Sequence, residues 1–268
     1  MQRRRDGAAP AEADQVGGLS RRLVRYEAIT VEPRLQGAVC ELRLPAGPLG
    51  LRAARELVAA CEELVEQRDV RVVVLRGSGA DFCAGAAPDL DPLALRPDPA
   101  AALARLRPPV IAAVSGRCAS VGFELALACD VRIAAADATF ALGDVQAGRL
   151  PCWGGTQRLP RAVGAARATA MVLLGASLPA SDAMPAGLVA EVAEDLDVAV
   201  DAVVTALVGL GPLALELAKE AVHRGSELPL RDGLRLEGDL NHLLQGTADR
   251  AEGLAAFFAK RPPDFAGR

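Results

Sequence analysis

The chain has 268 residues, 51% of them hydrophobic, enough for one large domain or one and a half ordinary ones and too apolar for bulk disorder. Its 30 basic and 34 acidic residues leave a net charge of −4, and without a long basic run in the folded part nucleic acid is not expected as a partner. No apolar run reaches the ~18 residues of a membrane span, so a membrane is not expected either.

Residues 1–23 mix Arg, Gly, Ala, Asp and Glu without periodicity and read as a disordered N-terminal tail. They lack the apolar core of a signal peptide, and Asp6, Glu12 and Asp14 argue against a transit peptide, so a cytoplasmic protein is expected. Two strands are predicted over 28–31 and 38–42, around a turn at 33–37. Residues 51–66 have helical spacing, with Leu57, Cys61 and Leu64 on one face. A buried strand over 70–75 ends at Gly77-Ser78-Gly79. The cycle repeats as a helix over 100–106, a strand over 110–114 after Pro108-Pro109, a helix from Val121 and a strand over 131–135. A short extended piece follows at 139–142, and Gly154-Gly155-Thr156 opens another helical region. The strands stop after 188–192. Residues 196–260 read as successive helices broken at Gly211-Pro212 and around Gly225. The pattern predicts an α/β core followed by helices that pack on the core or on a neighbouring subunit.

The six cysteines are scattered without a C-x-x-C pair, and His223 and His242 lie far from them in sequence. That argues against zinc and for buried thiols in a reducing compartment. Lys219 and Lys260 are the only lysines, so a phosphate site here would be built from forked Arg side chains.

Four segments could carry chemistry. The first is Cys118-Ala119-Ser120-Val121-Gly122-Phe123-Glu124, where an apolar strand feeds a helix through small residues. The first helical N–H groups are then unpaired, and Glu124 stands in the same turn. Donors for a developing oxyanion beside a proton-transfer group suit chemistry next to a carbonyl. The second is Asp81-Phe82-Cys83-Ala84-Gly85-Ala86-Ala87, whose small residues permit close backbone approach to a ligand, though alone it reads as a structural turn. Asp144, the titratable group of the turn after Phe140, reads alone as a cap or turn aspartate. Gly154-Gly155-Thr156-Gln157-Arg158-Leu159 alone reads as a helix start. Neither G-x-G-x-x-G nor G-x-x-x-x-G-K-[ST] occurs, which removes the main support for nucleotide binding.

Together with Pro109-Val110-Ile111-Ala112-Ala113-Val114-Ser115-Gly116, Cys129-Asp130-Val131-Arg132 and Ala186-Gly187-Leu188-Val189, these segments resemble the crotonase, or enoyl-CoA hydratase/isomerase, family. The ending Ala256-Phe257-Phe258-Ala259-Lys260-Arg261-Pro262 fits too, so the resemblance runs from about residue 26 to the end. It implies a ββα spiral core over 24–195 containing the active site. It also implies a C-terminal α-helical region over 196–268 that assembles a homotrimer or a dimer of trimers. The implied substrate is an acyl-CoA thioester, with no metal or redox cofactor, CoA being part of the substrate. By position, the backbone N–H groups of Ala86 and Val121 form the oxyanion hole, and Glu124 and Asp144 are the acid–base pair. Ala84, Gly85, Gly122, Leu142, Trp153 and Lys260 stand where substrate or CoA contacts are expected.

This chain also departs from the family pattern. Val121 replaces a usual glycine, keeping the amide donor but narrowing the pocket. Asp144 replaces the glutamate of hydratases, a methylene shorter, and a shift of about 1 Å can cost ~10²-fold in rate. Ala87, Leu142 and Trp153 stand where relatives carry Asp, a polar residue and a small residue; Trp153 either packs the core or walls the acyl pocket. The expected activity is enoyl-CoA hydration. Isomerisation, or C–C cleavage or decarboxylation, is the alternative within the family, and a non-catalytic acyl-CoA binding subunit is the alternative outside catalysis.

Overall fold

The computed structural model describes residues 25–268. The tail expected over 1–23 lies outside the described residues.

Strands β1 (Thr30–Arg34) and β2 (Val39–Leu44) pair antiparallel. The turn between them is tighter than expected: Pro33 and Arg34 stay in β1, and a 3-10 turn over Leu35–Gly37 reverses the chain. β3 (Val72–Gly77), β4 (Val110–Val114), β6 (Val131–Ala135) and β9 (Glu191–Ala193) continue the sheet, all parallel, in the order β1-β2-β3-β4-β6-β9. A second sheet holds β5 (Arg117–Ala119), β7 (Thr139–Ala141) and β8 (Leu178–Pro179).

The two sheets are linked by a repeating unit. β4 in the large sheet leads to β5 in the small one and then to helix α3 (Val121–Ala128). β6, β7 and α4 (Gly155–Val163) repeat the path. So does β3, followed by a single bridge residue, Cys83, paired in parallel with Cys118, and then α2 (Pro99–Ala104). β2, the bridge residue Leu49 and α1 (Leu51–Glu66) make the first round. The result is a ββα spiral whose successive small-sheet residues stack side by side.

The parallel strands read as unbroken apolar runs because both faces are buried. On β3, Val73 and Leu75 point into the main core with Phe82, Phe123 and Phe140, while Val72 and Val74 point to the opposite face. That opposite face is covered by α7 (Leu196–Val208) through Ala199, Val200 and Val204. Burial of each valine, leucine or phenylalanine among them is worth roughly 1.5–3 kcal/mol. Glu41 of β2 is also buried and is balanced by Arg34 at 2.9 Å and by Arg43 and Arg76.

Between α4 and α7 come α5 (Ala165–Leu174) and α6 (Ala180–Ala183). The last strand begins later than expected, because Leu188 and Val189 are buried in the loop before β9. Beyond α7 the C-terminal α-helical region continues as α8 (Pro212–Gly225), α9 (Leu230–Gln245) and α10 (Ala248–Ala259). The break before α10, at Gly246-Thr247, was not among the predicted breaks; Thr247 caps α10 by accepting from the Arg250 N–H.

Candidate active site

Two loops are fixed against each other on the spiral. The loop after β3 donates from the Cys83 N–H to the Arg117 carbonyl at 3.0 Å and accepts at the Cys83 carbonyl from the Ala119 N–H at 3.0 Å. Asp81 accepts from the Arg117 guanidinium at 2.7 and 3.0 Å, and that cation holds its carboxyl below the usual range. Closeness demands glycine at Gly122: a Cβ there would lie 2.5 Å from Cys83 Cβ and 2.9 Å from its carbonyl oxygen. Across the gap, a Cβ on Gly85, whose φ is +118°, would lie 3.7 Å from Ser120 Cβ. Ala86 and Val121 therefore sit on neighbouring loops. Among the described residues, neither of their N–H groups donates to another backbone carbonyl.

Helix α3 is buried at every position, packed against α2, α4 and β5. Glu124, in its first turn, is 1% exposed. Its Oε1 accepts from the Trp153 and Gly155 N–H groups, both at 2.8 Å. The GG pair at 154–155 is what lets the chain come so near: a Cβ on Gly155 would lie 3.0 Å from Oε1. Burial pushes the Glu124 carboxyl up to about 7, against the two donors, with nearby Asp144 adding to the rise. Near neutral pH this carboxyl can both take and give a proton.

Asp144 begins a 3-10 turn after β7, and its carbonyl accepts from the Ala147 and Arg149 N–H groups. The carboxyl is 5% exposed. Oδ1 accepts from the Ser120 hydroxyl at 2.6 Å and lies 3.8 Å from the Arg149 guanidinium. Oδ2 is buried and has no partner among the described residues. Each carboxyl thus has one oxygen tied and one left over.

Val121, Glu124 and Asp144 line one cavity of about 430 Å³. Its other walls come from the Asp91–Leu93 stretch and the segment around Arg149 and Leu150. Leu93 and Leu150 are 63% and 67% exposed, which gives the opening an apolar rim. Leu142 is buried against Gly155, beside Glu124, and does not line the cavity. Ala84, Gly85, Ala86 and Gly122 belong to the close loop pair and are not among the residues lining the cavity.

Trp153 and Lys260, also expected as contacts, do not line the cavity either. Trp153 is 1% exposed and packs in the core, so its ring is not a wall of the cavity. Its backbone N–H holds Glu124, and its indole N–H donates to the Pro92 carbonyl at 2.9 Å, steadying the opposite wall. Lys260 caps the C-terminus of α10 with φ +51° and is not among the lining residues. The sequence reading passed over Ser120, Arg149 and residues 91–93; the small-residue turn and the position just past Gly148 were the available signals.

The thiols behave as small apolar side chains. Cys40, Cys61, Cys83, Cys118 and Cys129 are buried, and burial pushes Cys129 up to about 12. Cys152 lines the cavity, where burial and the two carboxyls push it up to about 11, far from a reactive thiolate.

The fold agrees with comparison to known proteins. Residues 38–268 match the family model described as enoyl-CoA hydratase/isomerase. The chain belongs to that family, whose members act on acyl-CoA thioesters. It is 37% identical over 257 residues to the probable enoyl-CoA hydratase echA8 of Mycobacterium tuberculosis, covering 91% of this chain and 99% of that one. It is 40% identical over 227 residues to the 2,3-dehydroadipyl-CoA hydratase of Escherichia coli, covering 80% and 88%. The crystal structure of enoyl-CoA hydratase from Bacillus anthracis superposes with a TM-score of 0.82 at 33% identity, covering 90% of this chain and all of the other. The ββα spiral with its helical C-terminal region is therefore the crotonase fold.

Proposed function

We propose that the protein is an enoyl-CoA hydratase that adds water across the conjugated double bond of a 2-enoyl-CoA thioester. The observation that carries this reading is the meeting of Glu124 and Asp144 on one cavity, next to the Val121 amide. The thioester oxygen is read as lying between the Ala86 and Val121 N–H groups. Oxyanion donors of this kind are worth about 10²–10³ in rate each. Glu124 takes a proton from water as the water oxygen bonds to the β carbon. The π electrons move through the α carbon to the thioester oxygen, giving an enolate. Asp144 then gives its proton to the α carbon, the enolate collapses to a 3-hydroxyacyl-CoA, and proton exchange with solvent returns both carboxyls to their starting states. Holding water between two carboxyls turns a chance encounter into a positioned reaction. The apolar rim of Leu93 and Leu150 suits an aliphatic acyl chain. Nothing in these steps calls for a metal or a redox cofactor.

The same reading makes the protein a homotrimer or a dimer of trimers, joined through the helical region.

The test is the near-ultraviolet absorbance of a conjugated enoyl thioester, which hydration removes. Wild-type protein should remove it, and Glu124→Ala should lower the rate by at least ~10³-fold. Tight binding of the thioester with no loss of absorbance would replace hydration by a binding role.

A further inference from the structure

Ser120 stands immediately before α3 with φ +49° and ψ −126°, a backbone conformation that L residues rarely adopt and glycine adopts freely. Strain of this kind persists only where surrounding structure and function require it. A serine before a helix ordinarily accepts a hydrogen bond from an N–H of the first turn. This one makes no such cap. Its hydroxyl instead crosses to Asp144, 24 residues on, and donates to Oδ1 at 2.6 Å. The only other hydrogen-bonding or ion-pairing group at that oxygen among the described residues is Arg149, 3.8 Å away and 57% exposed. Among the described residues Oδ2 is left buried and without a partner, a state that folded proteins rarely tolerate without a use for it.

We infer that Ser120 is a positioning residue for Asp144: its hydroxyl fixes one carboxyl oxygen so that the other meets the substrate's α carbon. The inference deepens the proposed function and rests on Asp144 as the proton donor. Asp144 is a short side chain on a loop, reaching into the cavity with one covalent attachment and a single close donor. Rotation about its terminal bond would exchange the oxygens and displace the proton by about 1 Å or more, a shift that can cost ~10²-fold in rate. The serine hydroxyl blocks that rotation. Because it sits one residue before Val121, it also ties the position of the proton donor to the oxyanion amide. A glycine here would relax the backbone but leave the carboxyl unheld.

The test uses two variants, Ser120→Gly and Ser120→Ala, the second preserving the Cβ and the strain. Both should lower kcat for enoyl-CoA hydration by about 10- to 100-fold while KM stays within about twofold. In an Asp144→Asn background the same substitutions should change kcat by less than about threefold, since the group they position no longer donates. The melting temperature of Ser120→Gly should not fall, because its backbone strain is released. In crystals of both variants the Asp144 carboxyl should be rotated or split between two orientations. An unchanged kcat, an equal loss in the Asp144→Asn background, or an unmoved carboxyl in the crystals would each overturn the inference. Wild-type protein that hydrates no enoyl thioester would refute the proposed function alone, and the crystals of the variants would still decide what Ser120 does.

Discussion

Glu124 shows how far a single side chain can be pushed by its surroundings. It is buried in a helix with no polar neighbour on the helix itself, yet its Oε1 receives two amide donors from a distant loop. Burial wins, and the carboxyl titrates at about 7 instead of 4.5. Between those two values the folded protein binds a proton that the unfolded chain has released. Stability therefore falls as pH rises through this window. Glu124→Gln keeps an oxygen for the two donors and removes the buried charge. The variant should be more stable than wild type at about pH 8, by about 3 kcal/mol, and equal to it below about pH 4.5. Thermal unfolding at the two pH values checks this, and equal melting temperatures at the higher pH would contradict it. Glu124 stood out in the sequence, because a carboxylate one turn into a helix opened by small residues is conspicuous. The contact made by Ser120 did not. A serine before a helix reads as a cap, and only the coordinates show its hydroxyl leaving the helix for a residue in another loop.

The elements around the site work by close approach. Loops from two successive rounds of the spiral lie so near that Gly122 has no room for a side chain beside Cys83. Gly122→Ala would force the Cys83 backbone away, separating the Ala86 and Val121 amides. The expected result is a loss of more than ~10²-fold in kcat/KM, as when an oxyanion donor is removed, together with a stability loss of about 1–3 kcal/mol. Steady-state kinetics and chemical denaturation measure both, and an alanine variant with normal activity would show that the loops are not coupled in this way. The long elements were plain from periodicity: α1 runs over Leu51–Glu66 as expected, and β4 over Val110–Val114. The short strands β5 and β8, of three and two residues, have too few positions for a period to register. Trp153 was ambiguous for another reason. A lone aromatic before a glycine pair carries no information about which side it packs on, and the fold turns it into the core, where its two N–H groups steady Glu124 and the 91–93 wall.

At the scale of the molecule, the chain divides its apolar surface unevenly. The sheets bury theirs on both faces, whereas α8, α9 and α10 leave Val222, Leu230, Leu234, Leu243, Phe257 and Phe258 largely exposed. Such residues need cover, and the proposed trimer or dimer of trimers would provide it. Light scattering should return three or six times the 27.7 kDa chain mass, and a monomer at micromolar concentration would contradict that assembly. The family and the spiral were legible because they rest on ordered short motifs, while the cavity was not, since it forms only where 91–93, α3 and the 144–152 segment meet. The two carboxyls facing that cavity make a definite claim about atoms. In water enriched with heavy oxygen, a 2-enoyl-CoA incubated with the protein and analysed by mass spectrometry should become a 3-hydroxyacyl-CoA carrying one solvent oxygen, and Glu124→Gln should abolish its formation. A shifted double bond without solvent oxygen, or unaltered enoyl-CoA bound to the protein, would contradict it.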